Sequence, residues 1–206
     1  MIINKIKQYG LINSFKRLIY SLLRKFNVYY ESIYLMLYHS KKNDIITKMA
    51  KYDYSDVKIL NLNDFLKGDS SIFTKKKLEL IEDRLNSGNY VAFGIIFKNL
   101  LVYSCWICRS NILLPNSKMI KLKVDEGLLE DAYCHKDFRG NGYHSKMNLY
   151  RIKYLINEGR FKIYVMVIPE NIPAFKTQIN SGFSVNRKVF CLKIFGRQFS
   201  HEIFIN

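Results

Sequence analysis

The segment His135-Lys-Asp-Phe-Arg-Gly-Asn-Gly-Tyr-His-Ser145 constrains this chain more than any other. It holds two glycines and little β propensity. Ahead of it, Gly127–His135 reads as a strand. Behind it, Leu149, Ile152, Leu155 and Ile156 recur at the spacing of one helical face, and Glu158-Gly159 closes that helix. A strand, a glycine loop and a helix together make an anion site for a physical reason. The first amides of a helix have no internal partner and carry partial positive charge. Glycines let a phosphate approach those donors without a Cβ clash. Gly140 and Gly142 free the backbone, Arg139 adds charge, and Ser145 brings a hydroxyl near the first turn. Two common phosphate loops are excluded. There is no Gly-Lys-Ser/Thr for a nucleoside triphosphate and no Gly-x-Gly-x-x-Gly for a dinucleotide.

The rest of the chain supplies an order of elements around that loop. Val57–Leu62 reads as a strand, Asp64–Ser70 as a polar turn and Ser71–Leu85 as a helix. Tyr90–Phe97 and Leu101–Cys108 flank Lys98-Asn99, which is a hairpin signal. Residues 111–125 carry no clear period, and Pro115-Asn116 marks a turn. After the loop and its helix come a buried strand at Phe161–Ile168, a turn at Pro169–Asn171, a short helix at Pro173–Ile179 ended by Gly182, and strands at Val185–Ile194 and His201–Ile205. No internal repeat or low-complexity tract interrupts this order.

A chain of 206 residues and 24.4 kDa has the size of one domain with an extension. By area scaling it buries roughly 70% of its unfolded surface and needs no staples. At 49% hydrophobic and 15% aromatic it is not a disordered chain. Lys and Arg number 33 against 17 Asp and Glu, so the net charge is +16. That charge predicts an anionic partner: nucleic acid, a membrane surface or a phosphorylated ligand. No apolar run approaches the roughly 18 residues of a membrane span. Arg17, Arg24 and Lys25 interrupt any signal-peptide core. Cys105, Cys108, Cys134 and Cys191 are too few and too scattered for a disulfide scaffold, so a cytoplasmic, reducing location is expected.

The charge is unevenly spread. Residues 1–30 hold Lys5, Lys7, Lys16, Arg17, Arg24 and Lys25 and no acid. Phe15, Leu18, Ile19, Leu22, Leu23 and Phe26 form one helical face, with Gly10 or Ser14 as start signals and Asn27 as a stop. A second apolar stretch, Val28–Tyr38, follows. Residues 1–50 therefore read as a basic amphipathic helical extension on a domain of residues 51–206. Two readings compete for it: a helix packed on the domain, and a helix lying on an anionic membrane at the inner face. Nucleic acid is disfavoured, because no zinc-finger, RNA-binding or helix-turn-helix pattern is present.

At the loop the sequence resembles the GNAT acetyltransferase superfamily. That family's loop runs Arg or Gln, two residues, Gly, one residue, Gly or Ala; here Arg139 and Gly142 match, preceded by Asp137-Phe138. Its later helix often reads Asn, two residues, Ala, three residues, Tyr, three residues, Gly-Phe. Asn171, Ala174, Gly182 and Phe183 stand at those offsets. The element order from residue 57 agrees as well. The resemblance implies a mixed α/β (α+β) fold, a mostly antiparallel sheet flanked by helices, with the basic helical extension in front. It implies acetyl-CoA as co-substrate; no metal is expected, because His39, His135, His144 and His201 show no metal-ligand spacing. The cofactor-binding residues would be Ala132, Tyr133, Cys134, Arg139, Gly140, Asn141, Gly142, Tyr143, His144, Ser145, Asn171 and Phe175. Backbone at 132–134 would hold the pantetheine arm, and a backbone N–H would polarise the thioester carbonyl.

Two departures stand out. The loop's last small residue is His144, whose ring must either turn away from the phosphates or touch the cofactor. The usual Tyr, which in many members protonates the departing thiolate, is Gln178, and glutamine is no acid at neutral pH. Tyr143, Tyr133 and His135 are the candidates nearby in sequence. Glu130 and Asp131 lie on the preceding strand, on opposite faces by period two, and one of them could be the general base.

Cys105-Trp106-Ile107-Cys108 has redox or zinc spacing, but it lies in a strand and lacks a second ligand pair. The only tryptophan, Trp106, is either core or a platform for an acceptor sugar. The function expected is acetyl transfer to a small-molecule amine, directly and within a ternary complex. Members with this loop and a basic N-terminal helix resemble those of bacterial surface polysaccharide assembly, which suggests an amino sugar on a nucleotide or lipid diphosphate. The alternative is a non-catalytic, CoA-binding or membrane-associated scaffold, for which Gln178 and His144 are the sequence arguments.

Overall fold

A computed structural model describes residues 11–39 and 42–205. In chain order the elements are α1 (Leu11–Arg24), β1 (Val28–His39), α2 (Lys42–Met49), β2 (Val57–Ile59), α3 (Leu62–Phe65), α4 (Lys75–Asn86), β3 (Tyr90–Phe97), β4 (Leu100–Cys108), β5 (Asn111–Leu113), β6 (Met119–Lys121), β7 (Glu126–Cys134), a 3-10 turn (Lys136–Phe138), α5 (Tyr143–Asn157), β8 (Lys162–Val167), α6 (Ile172–Ser181), β9 (Ser184–Ile194) and β10 (Arg197–Phe204). This is a mixed α/β chain with mostly antiparallel strand pairing and flanking helices. The described residues form two compact units. One joins residues up to Tyr38, Ile112–Ile120 and the chain from Val165 onward; the other joins His39–Asn111 and Lys121–Tyr164.

The second unit carries the glycine loop. Its strands run in the order β7-β4-β3-β2. Lys98 and Asn99 both take left-handed backbone (φ +47° and +62°), the geometry of a tight hairpin turn between β3 and β4. Helix α4 begins at Lys75 rather than at Ser71, because Asp69 holds the Ser71 amide in a turn at 2.9 Å and Thr74 caps the Lys77 amide. Helix α3 replaces the end of the strand expected at 57–62 and the start of the polar turn expected at 64–70, since Asn61 and Asp64 cap each other's backbone amides. The core gathers Leu60, Phe65, Phe73, Ile81, Leu101 and Trp106. Leu149, Ile152, Leu155 and Ile156 are all buried, as their spacing required. Gly127 has a different role from the loop glycines: a Cβ there would lie 2.9 Å from the Leu155 side chain, so it lets α5 approach β7.

In the first unit the strand order is β10-β9-β1-β8. Here the expectation for residues 1–50 is corrected: Val28–His39 is a strand, not part of a helical extension. It pairs antiparallel with β9 from Val28↔Ile194 to Leu37↔Ser184. The physical reason is its run of aromatic and β-branched residues, which suits a pleated surface buried on both faces between Ser32 and Tyr38. Tyr34 packs on Phe175 of α6 and Tyr38 on Phe183.

Helix α1 continues through Ser14, which is therefore no start signal, and Asn27 ends the turn after it with φ +57°. Gly10, Lys5 and Lys7 lie outside the described residues. The apolar face of α1 is exposed: Phe15, Leu18 and Leu22, and Phe26 in the turn after it, are 50–70% exposed. No helix among the described residues is long and apolar enough to cross a membrane.

Candidate functional site

The loop is built by short-range contacts. The His135 ring accepts from the Asp137 amide at 3.4 Å and starts the 3-10 turn. Phe138 then packs edge-on against Phe97 and against His135. Arg139 Nε donates to the Cys134 carbonyl at 3.3 Å, and Asn141 Nδ2 donates to the Phe138 carbonyl at 3.1 Å. Gly140 and Gly142 sit at φ +87° and +74°, where only glycine is unstrained. A Cβ on either would meet no atom within 4 Å, so the requirement is conformational, not spatial.

Gly142 is the N-cap of α5, and no side chain caps that helix. Its first turn holds no acidic residue. Most helices place Ser, Thr, Asp or Asn at this position. An anion with Arg139 beside it would complete these amides, so the residues present fit the pyrophosphate of a CoA thioester. Gly140, Asn141 and Gly142 are exposed there, while Tyr143 and Ser145 are half-buried in the first turn.

The strand ahead of the loop departs from period two. Ser104 faces Tyr133 and Trp106 faces Glu130, so one residue of β4, Cys105, stands against two of β7. Asp131 and Ala132 have no partner on β4, and Asp131 takes φ +41°. This is a β-bulge. It corrects the expectation that Glu130 and Asp131 point to opposite faces, because both carboxylates lie at Arg84 of α4. Arg84 donates to Asp131 at 3.0 Å and stands 3.9 Å from Glu130 Oε2; Lys77 donates to Asp131 at 2.8 Å.

The two acids differ in consequence. Asp131 is held by two cations. Glu130 is largely buried, its Oε2 has no hydrogen-bond partner, and burial raises its pKa above the ordinary carboxylate value, against the pull of Arg84. A cleft of about 190 Å³ opens beside Asp131, lined also by Phe73, Lys77, Trp106, Tyr133 and Arg139 among others. Ala132 and Cys134 also face it. Tyr133 packs edge-on against Phe73 at 4.8 Å, and burial raises its pKa and that of Cys134.

His144 turns inward. Its Nδ1 lies 2.6 Å from the hydroxyl of Tyr103, which is buried in β4. Burial, reinforced by Arg151, pushes its pKa down to about 4, so the ring is neutral at pH 7. The bulky residue at the loop's last position thus points into the unit. Tyr143 lies over Tyr103, with ring centroids 6.4 Å apart.

Trp106 is 2% exposed, stacked on Phe65 at 5.4 Å, and has the Arg84 guanidinium over its ring at 5.5 Å. Of its two expected roles, this burial favours core packing over a platform for an acceptor sugar. Cys105 and Cys108 are buried free thiols, and burial pushes Cys105 up to about 11, away from redox reactivity. Among the described residues no group of three His, Cys, Asp or Glu could hold a metal.

Asn171 and Phe175 belong to the first unit. The Asn171 side chain accepts from the Ala174 amide at 3.3 Å and caps α6, and Phe175 packs on Tyr34. Gln178 is buried in the same helix, and its carbonyl accepts from the Phe183 amide.

Sequence reasoning passed over Lys77, Arg84, Asn148 and Arg151. A signal was present for each. Lys77 and Arg84 flank the buried Ile81 at i−4 and i+3, and His144, Asn148 and Arg151 repeat at four and three residues along α5. Polar side chains on the buried face of a helix mark a site or a clamp.

No family model matches the chain, and no curated protein matches it. Solved structures do. A GNAT-family protein from Novosphingobium aromaticivorans superposes with a TM-score of 0.56 at 10% identity, over 80% of this chain and 63% of that one. A GNAT-family acetyltransferase from Colwellia psychrerythraea gives 0.56 at 15%, over 88% and 62%. AAC(6')-Iy in complex with the bisubstrate analogue CoA-S-monomethyl-acetylneamine gives 0.50 at 15%, over 63% and 90%. The chain spans under two thirds of the first two proteins. At these identities the likeness establishes the fold, which is that of the GNAT acetyltransferases.

Proposed function

We propose that this protein is an acetyl-CoA-dependent N-acetyltransferase that transfers directly to a small-molecule amine. The observation that carries the reading is the uncapped, acid-free N-terminus of α5 behind Gly140 and Gly142, set beside the bulge of β7. Arg139 and the first amides of α5 hold the pyrophosphate. The unpaired backbone at Asp131 and Ala132 lies along the pantetheine path. A backbone N–H there stabilises the oxyanion that forms when the amine attacks the thioester.

Glu130 is the general base. Its raised pKa makes it a better proton acceptor than an ordinary carboxylate, and its buried Oε2 has no hydrogen-bond partner. Asp131, tied to Lys77 and Arg84, positions rather than accepts. Gln178 protonates nothing, so Tyr143 is the candidate proton donor to the thiolate, with solvent as the other source. The acceptor class we favour is an amino sugar carried on a nucleotide or lipid diphosphate, as in surface polysaccharide assembly. The +16 charge suits such an anionic carrier and repels polyamines. The exposed apolar face of α1, in a basic segment, supports peripheral attachment to an anionic inner membrane face.

The test is acceptor-dependent thiol release from acetyl-CoA. Release with nucleotide-linked amino sugars, and none with peptides or polyamines, is expected. Acetyl-CoA binding with no turnover on any amine would favour the second reading, a non-catalytic CoA-binding scaffold, which the replacement of the usual Tyr by Gln178 favours.

A further inference from the structure

Arg151 is 2% exposed, yet among the described residues no carboxylate lies within ion-pair distance of it. Its hydrogen-bond partners are neutral. Nη1 donates to the Trp106 carbonyl at 2.9 Å and to the Glu130 carbonyl at 3.1 Å, Nη2 donates to the Asn148 side-chain oxygen, and Nε has no partner. A buried cation without an anion is costly, by several kcal/mol before compensation. An apolar side chain at this position would bury at lower cost. The charge therefore has another use, and its position indicates which.

Trp106 and Glu130 are the last paired residues before the bulge. Arg151 ties their two carbonyls through one nitrogen, so it fixes the plane of the Glu130–Asp131 peptide. In a trans peptide the N–H points opposite to the C=O. With the Glu130 carbonyl held toward Arg151, the Asp131 N–H is aimed the other way. Asp131 has no partner on β4, at the bulge that follows Glu130. A charged donor on the carbonyl also polarises the whole amide, and its N–H becomes a stronger donor.

We infer that Arg151 is a positioning residue of the acyl-transfer site: it locks the β7 bulge and aims and strengthens the Asp131 N–H as the donor to the thioester carbonyl. This rests on the acetyl-CoA reading above. The planar fork explains why arginine stands here, because Nη1 spans two carbonyls while Nη2 is anchored on Asn148, which a lysine cannot reproduce.

The experiment is infrared difference spectroscopy of the thioester carbonyl of acetyl-CoA labelled with carbon-13 at that carbon, bound to wild type, Arg151→Met and Arg151→Lys. In wild type the stretch falls to lower frequency than in free acetyl-CoA. In Arg151→Met most of that shift is lost while CoA affinity by calorimetry stays within about threefold. In Arg151→Lys a reduced shift remains. A full shift in Arg151→Met overturns the inference and leaves acetyl-CoA binding intact. If Arg151→Met does not fold, the lysine variant decides: a reduced shift supports the inference, and an undiminished one overturns it. Absence of acetyl-CoA binding by wild type would overturn both the inference and the reading beneath it.

Discussion

The hydroxyl of Tyr103 and Nδ1 of His144 share a 2.6 Å hydrogen bond inside the unit that carries the glycine loop. Burial keeps the tyrosine protonated, raising its pKa well above the ordinary value, and keeps the imidazole neutral. The pair anchors the first turn of α5, whose amides we propose as the anion site.

A pH dependence follows from that pair. The folded His144 pKa of about 4 lies below its ordinary value of 6.5, so the unfolded chain takes up a proton first as pH falls. Stability is full above about pH 6.5 and declines between about 6.5 and 4, by up to about 3 kcal/mol from this group. His144→Gln should flatten this part of the urea-unfolding profile. An unchanged slope between wild type and variant would show that the ring is not held neutral.

The two acids at Arg84 should separate in mutagenesis. Glu130→Gln removes the base and should lower kcat by about 100-fold or more with little change in acetyl-CoA KM. Asp131→Asn loosens Lys77 and Arg84 and should act more mildly. Steady-state kinetics on the two variants checks this; a larger kcat loss from Asp131→Asn would exchange their roles.

Trp106 is a core residue, so its removal should be felt in stability. Trp106→Ala should cost about 3–5 kcal/mol, while Trp106→Phe keeps the stack on Phe65 and costs less. Chemical denaturation measures both. A stable Trp106→Ala with altered acceptor KM would restore the sugar-platform role.

The membrane reading rests on exposed side chains of α1. Phe15→Glu and Leu22→Glu should abolish sedimentation with vesicles rich in phosphatidylglycerol and leave the circular dichroism spectrum unchanged. Binding that persists in both variants counts against insertion of this face.

Much of the second unit was legible in the sequence because its signals are local. The apolar spacing from Leu149 to Ile156, the Lys98-Asn99 turn and Gly140 and Gly142 each act within a few residues. The bulge at Asp131 was not legible. It is a register mismatch between two strands, and a period-two reading of β7 alone has no access to it. The strand at Val28–His39 was missed for a related reason: its sequence is apolar without a clean period, and only pairing with β9 settles its form. Arg151 and Asn148 were hidden by the same search for apolar residues that found their helix.

The central claim is that the loop of Arg139, Gly140 and Gly142 holds acetyl-CoA. Thermal unfolding of wild type and of Gly142→Glu, each with and without acetyl-CoA, tests it most directly. At about 100 times the dissociation constant the ligand should add roughly 2.7 kcal/mol to wild type, a clear rise in Tm. The rise should appear in wild type and be lost in Gly142→Glu, whose carboxylate would oppose the phosphates. No rise in wild type at millimolar acetyl-CoA, or an equal rise in the variant, would contradict it.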